Sequence, residues 1–98
     1  MKTILIHPLA GKFAEDKDVA RELRLTALLP DLRHGKTIEL DFDGVLDATQ
    51  GFMHALLSDP IRLYPETVFE RILFKNCSDS VKVAIEIVAE YMFLSLDA

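Results

Sequence analysis

Three aspartates, Asp41, Asp43 and Asp47, follow a strand-like run in which apolar residues alternate with polar ones. A carboxylate can carry a covalent phosphoryl group, and carboxylates at the end of a strand can hold Mg²⁺ together with a phosphate. Aspartates also form turns by accepting hydrogen bonds from nearby backbone N–H groups. The spacing therefore leaves three interpretations open: phosphoryl transfer by Asp41 and Asp43, metal ligation by all three residues, and a solvated, turn-forming strand end.

The string DFDGVLDAT, residues 41–49, resembles the first motif of the haloacid dehalogenase-like phosphatases. This resemblance implies that Asp41 is the nucleophile that takes the phosphoryl group and that Asp43 is the general acid and base. In that family the motif lies on the first strand, whereas here a strand and a helix precede it. The family also needs a later lysine and a further acidic pair, and this chain offers Lys75, Lys82 and scattered acids. A Mg²⁺-dependent phosphotransfer site is therefore the alternative function.

Hydrophobic periodicity divides the chain into alternating strands and helices. It predicts strands at residues 3–7, 36–42 and 68–77, and helices at 15–29, from Thr49 or Gln50 to Ser58, and from Ser78 or Asp79 onward. Pro30 is expected to close the first helix and Asp59-Pro60 the second. Arg21 and Arg24 fall on the wetter side of the first helix. We predict one α/β domain, residues 1–98, whose mixed sheet of about three to four strands is packed by about three helices.

The last predicted helix carries two apolar rows. The first row recurs at helical spacing and predicts a core face: Val81, Ala84, Ile85, Val88 and Met92. Val83, Ile87 and Tyr91 form a second row, which makes the apolar surface wider than one core face needs. The second row predicts either a homodimer contact, as in a structural dimerising subunit, or a helix buried on two sides.

Composition excludes several classes of partner. The 16 acidic and 11 basic side chains give a net charge of −5, which repels nucleic-acid phosphates. Cys77 is the single cysteine, so no internal disulfide can form. Glu86 and Glu90 interrupt the C-terminal apolar tract, which is too short to span a membrane. We expect a cytoplasmic protein that binds neither nucleic acid nor membrane, with no cofactor and no metal.

A larger part of the chain, about Ala14 to Met92, resembles the STAS-like domains (sulphate transporter and anti-sigma-factor antagonist like), in particular small bacterial proteins of unassigned function. In these proteins a strand ending in Leu-Asp-Phe-x-Gly-Val leads through a short loop into a helix that has Phe near its start. Here Leu40 to Val45, the loop Asp47 to Gly51, and Phe52 correspond. The run FKNCSDSVKVAIEIV is similar to the strand, polar turn and closing helix of the family, and ARELR resembles its first helix.

The resemblance implies a non-enzymatic regulatory domain without catalytic residues, which binds a protein partner through loop 46–51 and the helix that follows. In anti-sigma-factor antagonists the partner is a histidine-kinase-like ATPase that phosphorylates a serine in the loop. Gln50 stands at that serine position here, so Thr49 is the hydroxyl that remains, either as a phosphorylation site or as a helix cap. The predicted partner-binding residues are Asp47, Thr49, Gln50, Gly51, Phe52 and His54.

His54 admits two further interpretations. It lies one turn into the predicted helix and could reach Asp43 or Asp47 as a metal or proton-transfer partner. It could equally be a partly exposed histidine with a structural role.

Overall fold

The computed structural model describes residues 1–96, which form an α/β fold. The strands are β1 (Lys2–Leu5), β2 (Phe13–Ala14), β3 (Ile38–Asp41), β4 (Asp47–Ala48) and β5 (Ile72–Lys75). The helices are α1 (His7–Ala10), α2 (Lys17–Leu23), α3 (Leu29–Arg33), α4 (Gln50–Leu63), α5 (Val68–Arg71) and α6 (Asp79–Leu96). A π-helical turn, Arg24–Leu28, joins α2 to α3. The predicted α/β class is confirmed.

The strands form two small sheets in which every pair is parallel. One sheet has the order β1-β3-β5, and β2 pairs with β4 in the other. The sequence predicted one mixed sheet instead. Parallel neighbours need long crossover connections, and the segments between β1, β3 and β5 supply them because they contain the helices. This arrangement places β3 at the centre of the larger sheet.

The strict alternation along β3 is confirmed and separates two faces of the sheet. Ile38, Leu40 and, just beyond the strand, Phe42 are fully buried, whereas Glu39 and Asp41 point to the other face and are half-buried. Thr3 Oγ1 donates a hydrogen bond to Glu39 Oε1 at 3.3 Å, and Lys75 Nζ lies 3.9 Å from the same oxygen. The second face is partly open to solvent and mixed in character, because Leu5 and Leu73 lie on it beside Asp41 and Glu39. The Glu39 carboxylate has partners on both neighbouring strands.

The helical segment after β2 continues past Pro30, so the prediction that this proline closes it is wrong. Asp16, one of the two predicted caps, accepts a hydrogen bond from the Asp18 N–H at 2.9 Å and starts α2. In the π-helical turn the Leu29 N–H donates to the Arg24 carbonyl, five residues back. The backbone hydrogen bonds thus already span five residues instead of four before the chain reaches Pro30. Pro30 lies in the first turn of α3, where a missing N–H is tolerated.

Arg24 is not on the wetter side of its helix, contrary to the sequence-based prediction. Its side chain is only 16% exposed, and its guanidinium Nη1 donates to the Ala55 carbonyl at 3.0 Å. Its Nε lies 3.5 Å from Asp59 Oδ2, without the geometry of a hydrogen bond, and Asp59 also pairs with Arg62. Arg24 therefore ties the π-helical turn to the middle of α4.

Two further predicted boundaries are wrong. Helix α4 continues through Pro60 to Leu63, because Pro60 and Ile61 are both buried and their burial offsets the lost hydrogen bond. The predicted strand at 68–77 begins as helix α5, and only Ile72–Lys75 joins the sheet. The central strand offers partners only from Ile38 to Asp41, which limits how much of this run can pair.

The predictions for the last helix are confirmed in two respects. Ser78, one of the two candidate caps, accepts a hydrogen bond from the Val81 N–H at 3.1 Å. The first apolar row of α6 packs against the core, and its members are buried except for the half-buried Ile85. The second row is exposed, at 51% for Val83, 41% for Ile87 and 62% for Tyr91. Within the described chain, α6 is therefore buried on one side only.

We predict that Arg24→Ala lowers the free energy of unfolding by about 1.5–3 kcal/mol, because it removes a hydrogen bond from a charged, largely buried donor. Arg24→Lys should recover only part of this loss, since one ammonium group lacks the forked geometry of the guanidinium. Urea unfolding monitored by circular dichroism gives both values. Arg21→Ala is the matched control on the exposed side of α2, and equal losses in the Arg21 and Arg24 variants would contradict the assignment.

Candidate functional site

The predicted docking loop is held in place by hydrogen bonds to two other parts of the chain. The Leu46 N–H donates to the Lys12 carbonyl at 2.7 Å, and the Thr49 N–H donates to the Ala14 carbonyl at 2.9 Å. The Leu46 carbonyl accepts from Ser78 Oγ at 2.9 Å, at the start of α6. These bonds join the loop to the β2 segment and to α6, so its conformation is set by the fold.

Thr49 is the N-cap of α4. Its Oγ1 accepts a hydrogen bond from the Phe52 N–H at 3.0 Å, while the side chain remains exposed. Phe52 itself is completely buried in the core. The cap explains why the helix begins at Gln50, and the burial of Phe52 means that this predicted partner-binding residue contributes to the core instead of the surface.

A groove of about 440 Å³ lies between the N-terminal part of α4 and the middle of α6. Its lining residues come from three helices: Lys17, Gln50, Gly51, His54, Ala55, Ile87, Val88 and Tyr91. The His54 and Tyr91 rings contact each other across the groove, with centroids 6.2 Å apart. Two surfaces that the sequence predicted separately, the loop-and-helix surface and the second row of α6, therefore meet in one place.

Gly51 leaves the space that Lys17 occupies at one end of this groove. A Cβ atom built on Gly51 would lie 2.6 Å from Lys17 Cε, so any side chain there would displace the lysine. No carboxylate in residues 1–96 forms a salt bridge with Lys17. The lysine thus places an accessible positive charge beside the first turn of α4.

The structure separates the remaining predicted residues from the groove. Asp47 and Thr49 line a smaller cavity of about 190 Å³, together with Phe13 and Glu15. Asp47 Oδ1 accepts a hydrogen bond from the Ala48 N–H at 2.8 Å. Of the six predicted partner-binding residues, Gln50, Gly51 and His54 share the groove, Asp47 and Thr49 lie at the smaller cavity, and Phe52 lies in the core.

Asp41 holds the ends of β3 and β5 together. Its Oδ1 accepts hydrogen bonds from the Asn76 side-chain amide at 3.0 Å and from the Asp43 N–H at 2.9 Å. The Asn76 amide first, then the Asp43 N–H and the nearby Lys75 charge, hold the pKa of Asp41 below its ordinary value. The side chain therefore forms the turn at Gly44, which has a φ of +86° that favours glycine.

Asp41, Asp43 and Asp47 do not form a metal site in the part of the chain that the structure describes. No group of three or more His, Cys, Asp or Glu side chains there has an arrangement that could hold a metal ion. Asp41 and Asp47 each accept backbone hydrogen bonds in their own turns, and Asp43 is exposed. The geometry thus favours the turn-forming interpretation of these residues.

Sequence reasoning missed Lys17, Ala55 and Val88 as groove residues. Val88 was predicted as a core residue, which it is, and its edge also reaches the groove. Lys17 carries no local signal, because its position over Gly51 depends on how α2 crosses α4. The pairing of a glycine early in α4 with a lysine early in α2 becomes visible only in three dimensions.

Comparison with known proteins identifies a matching family. The model of a family described as "STAS-like domain of unknown function (DUF4325)" matches residues 20–82, well over half of the chain. Neither the curated proteins nor the solved structures contain a significant match. Among the described helices, none is long and apolar enough to cross a bilayer.

We predict that Asp41→Asn reduces stability at neutral pH and that the difference from wild type shrinks as the pH falls through the lowered pKa of Asp41. A carboxyl whose pKa is depressed by folding contributes stability above its ordinary pKa and loses that contribution once it is protonated. Urea unfolding at a series of pH values measures this. Asp43→Asn is the matched control because the Asp43 side chain is exposed, and a constant difference across pH would argue against the assignment.

We predict that Thr49→Ala lowers the free energy of unfolding by about 1 kcal/mol through loss of the α4 cap. Thr49→Ser and Thr49→Asp should keep most of the stability, because both side chains can accept the Phe52 N–H. Thermal and urea unfolding of the three variants test this. An unchanged Thr49→Ala protein would show that the cap contributes nothing.

Proposed function

The chain belongs to the family of STAS-like domains of unknown function, and from that membership we propose that it is a non-enzymatic regulatory module that binds another protein. The binding surface in this proposal is the groove between α4 and α6 together with the exposed row Val83, Ile87 and Tyr91, a combination we name the docking face. It contains Gln50, Gly51 and His54 of the predicted site.

One observation carries the proposal: the exposed apolar row runs along the edge of the groove. Ile87 and Tyr91 belong to both, and Leu94, 65% exposed, extends the row by one more turn. Large apolar side chains that share a contiguous exposed surface mark interaction sites more often than scattered ones do. A partner that covers this surface would remove the row from water and fill the groove.

The partner in this proposal is a regulator such as a histidine-kinase-like ATPase, as the family resemblance implies. Thr49 is the hydroxyl that such a partner would phosphorylate, and its exposure supports access. A phosphate there would carry about −1.5 to −2 charges at the start of α4, where the helix dipole favours it and Asp47 opposes it. We place this regulation in the cytoplasm, where the unpaired thiol of Cys77 would stay reduced.

A second candidate is a homodimer formed through α6. The observation that favours it is the exposure of Val83, Ile87 and Tyr91 on consecutive turns of one helix. In a two-fold symmetric contact the same row would meet its own copy. Sedimentation velocity over a range of concentrations distinguishes the two candidates, since only the second gives a dimer of the isolated chain.

We predict that Ile87→Glu combined with Tyr91→Glu abolishes capture of a specific partner from a native lysate without unfolding the domain. Burying two carboxylates in an apolar contact costs far more than the contact gains. The partner is identified by mass spectrometry, purified, and tested for direct binding by calorimetry with wild type and variant.

Leu63→Glu is the matched control, because Leu63 is equally exposed but lies at the other end of α4, outside the groove. The proposal predicts that this variant keeps the partner and binds it directly with unchanged affinity. Circular dichroism confirms that each variant is folded. A purified partner that binds wild type and the doubly substituted protein with equal affinity would overturn the docking face.

A further inference from the structure

The docking face has one lysine, Lys17, on the side of α2 and α4. Lys17 lines the groove there, and the other polar residues of the lining are Gln50 and His54. Within residues 1–96, no Asp or Glu lines the groove, although the chain as a whole has a net charge of −5. Lys17 therefore has no acidic neighbour in the described lining, although the exposed Asp16 and Asp18 flank it in the sequence.

The opposite edge is negatively charged. Glu86 and Glu90 each precede a member of the exposed row, Ile87 and Tyr91, and so lie about 100° from it around the helix. Val88, on the other side of Ile87, is buried and lines the groove, so the two glutamates must lie on the outer side of the row. Both are exposed. The apolar strip thus runs between a lysine on one side and two glutamates on the other.

We infer that the docking face binds an amphipathic helix of a partner protein whose apolar stripe has acidic residues along one edge and basic residues along the other. This inference rests on the proposed function and specifies the chemistry of the partner. A helix fits because the surface is a groove between two helices, whose exposed row repeats every four residues, as in helix-in-groove recognition. The acidic edge would face Lys17, and the basic edge would face Glu86 and Glu90.

The same charges disfavour one arrangement of a second copy. In a two-fold contact between antiparallel α6 helices, each edge meets the identical edge of the other copy. The glutamates of the two copies would then face each other, and so would the two lysines, which costs free energy. Only a parallel arrangement would bring opposite charges together. The measurements below distinguish self-association from binding of a partner helix.

The test uses three synthetic helical peptides of about 18 residues, five turns, with the same apolar stripe of Leu and Phe. One peptide has an acidic edge and a basic edge, the second has two basic edges, and the third has two acidic edges. Fluorescence anisotropy measures binding to the full chain. We expect the mixed peptide to bind about tenfold more tightly than either of the others, since one edge of each of those meets like charge.

Charge reversal in the protein should change which peptide binds best. Lys17→Glu should favour the peptide with two basic edges, and Glu86→Lys combined with Glu90→Lys should favour the peptide with two acidic edges. Lys36→Glu, outside the groove, is the matched control and should leave the order unchanged. A folded Lys17→Glu protein that keeps the preference of wild type would overturn the inference.

Three other results would also overturn it. Equal binding of all three peptides by wild type would show that charge does not select the occupant. If no peptide binds while the natural partner is still lost on combining Ile87→Glu with Tyr91→Glu, the inference fails but the proposed function stands. A concentration-dependent dimer that the same pair of substitutions dissociates, with no peptide bound, would assign the surface to a second copy instead.

Discussion

The buried face of α4 is the contact on which the rest of this structure depends. Five of its side chains have no exposed surface: Phe52, Met53, Leu56, Leu57 and Ile61. Burial of each contributes about 1.5–3 kcal/mol, and this face packs against both α2 and α6. Because the helix is fixed on its inner side, its outer side can present Gln50, His54 and Ala55 at a constant distance from α6. The groove is thus a consequence of how the core is packed.

In the central sheet, the acidic residues at the end of β3 have structural partners that account for their positions. Parallel sheets usually have both faces covered, yet the face that carries Glu39 and Asp41, together with Leu5 and Leu73, is partly open to solvent. Each of these carboxylates has partners on neighbouring segments: Thr3 and Lys75 for Glu39, and Asn76 for Asp41. Strand pairing and the turn at Gly44 account for the aspartates that also resemble a phosphatase motif.

The loop before α4 is held in one conformation, which would affect the entropy cost of binding a partner. Backbone groups of Leu46 and Thr49 are bonded to the β2 segment, and Ser78 ties the loop to the start of α6. A surface that is already in its bound conformation loses less conformational entropy on association than a mobile one. The proposed docking face combines this loop-anchored helix start with the middle of α6, so a partner would meet a loop that is already ordered.

Elements with local sequence patterns could be predicted before the structure was known. The alternation of Ile38, Leu40 and Phe42 specified β3, the 3.6-residue period specified α6, and side chains such as Thr49 specified where helices begin. The resemblance over about Ala14 to Met92 also suggested the family, which the match at residues 20–82 shows. These features need only neighbours in the chain, because periodicity and capping are short-range.

Which of these faces meet depends on how the helices and strands pack in three dimensions. A proline inside a helix costs about 3 kcal/mol, a local penalty that predicts an end at Pro60. Helix α4 nevertheless continues through Pro60, which is buried together with Ile61. Arg24 has the pattern of a solvated residue, but its partners at Ala55 and Asp59 lie on another helix. A sequence pattern indicates how much apolar surface a helix or strand must bury. The way that helices and strands cross decides which other element covers that surface. Lys17, Gly51 and Tyr91 line one groove because of how their three helices cross, which no local pattern indicates.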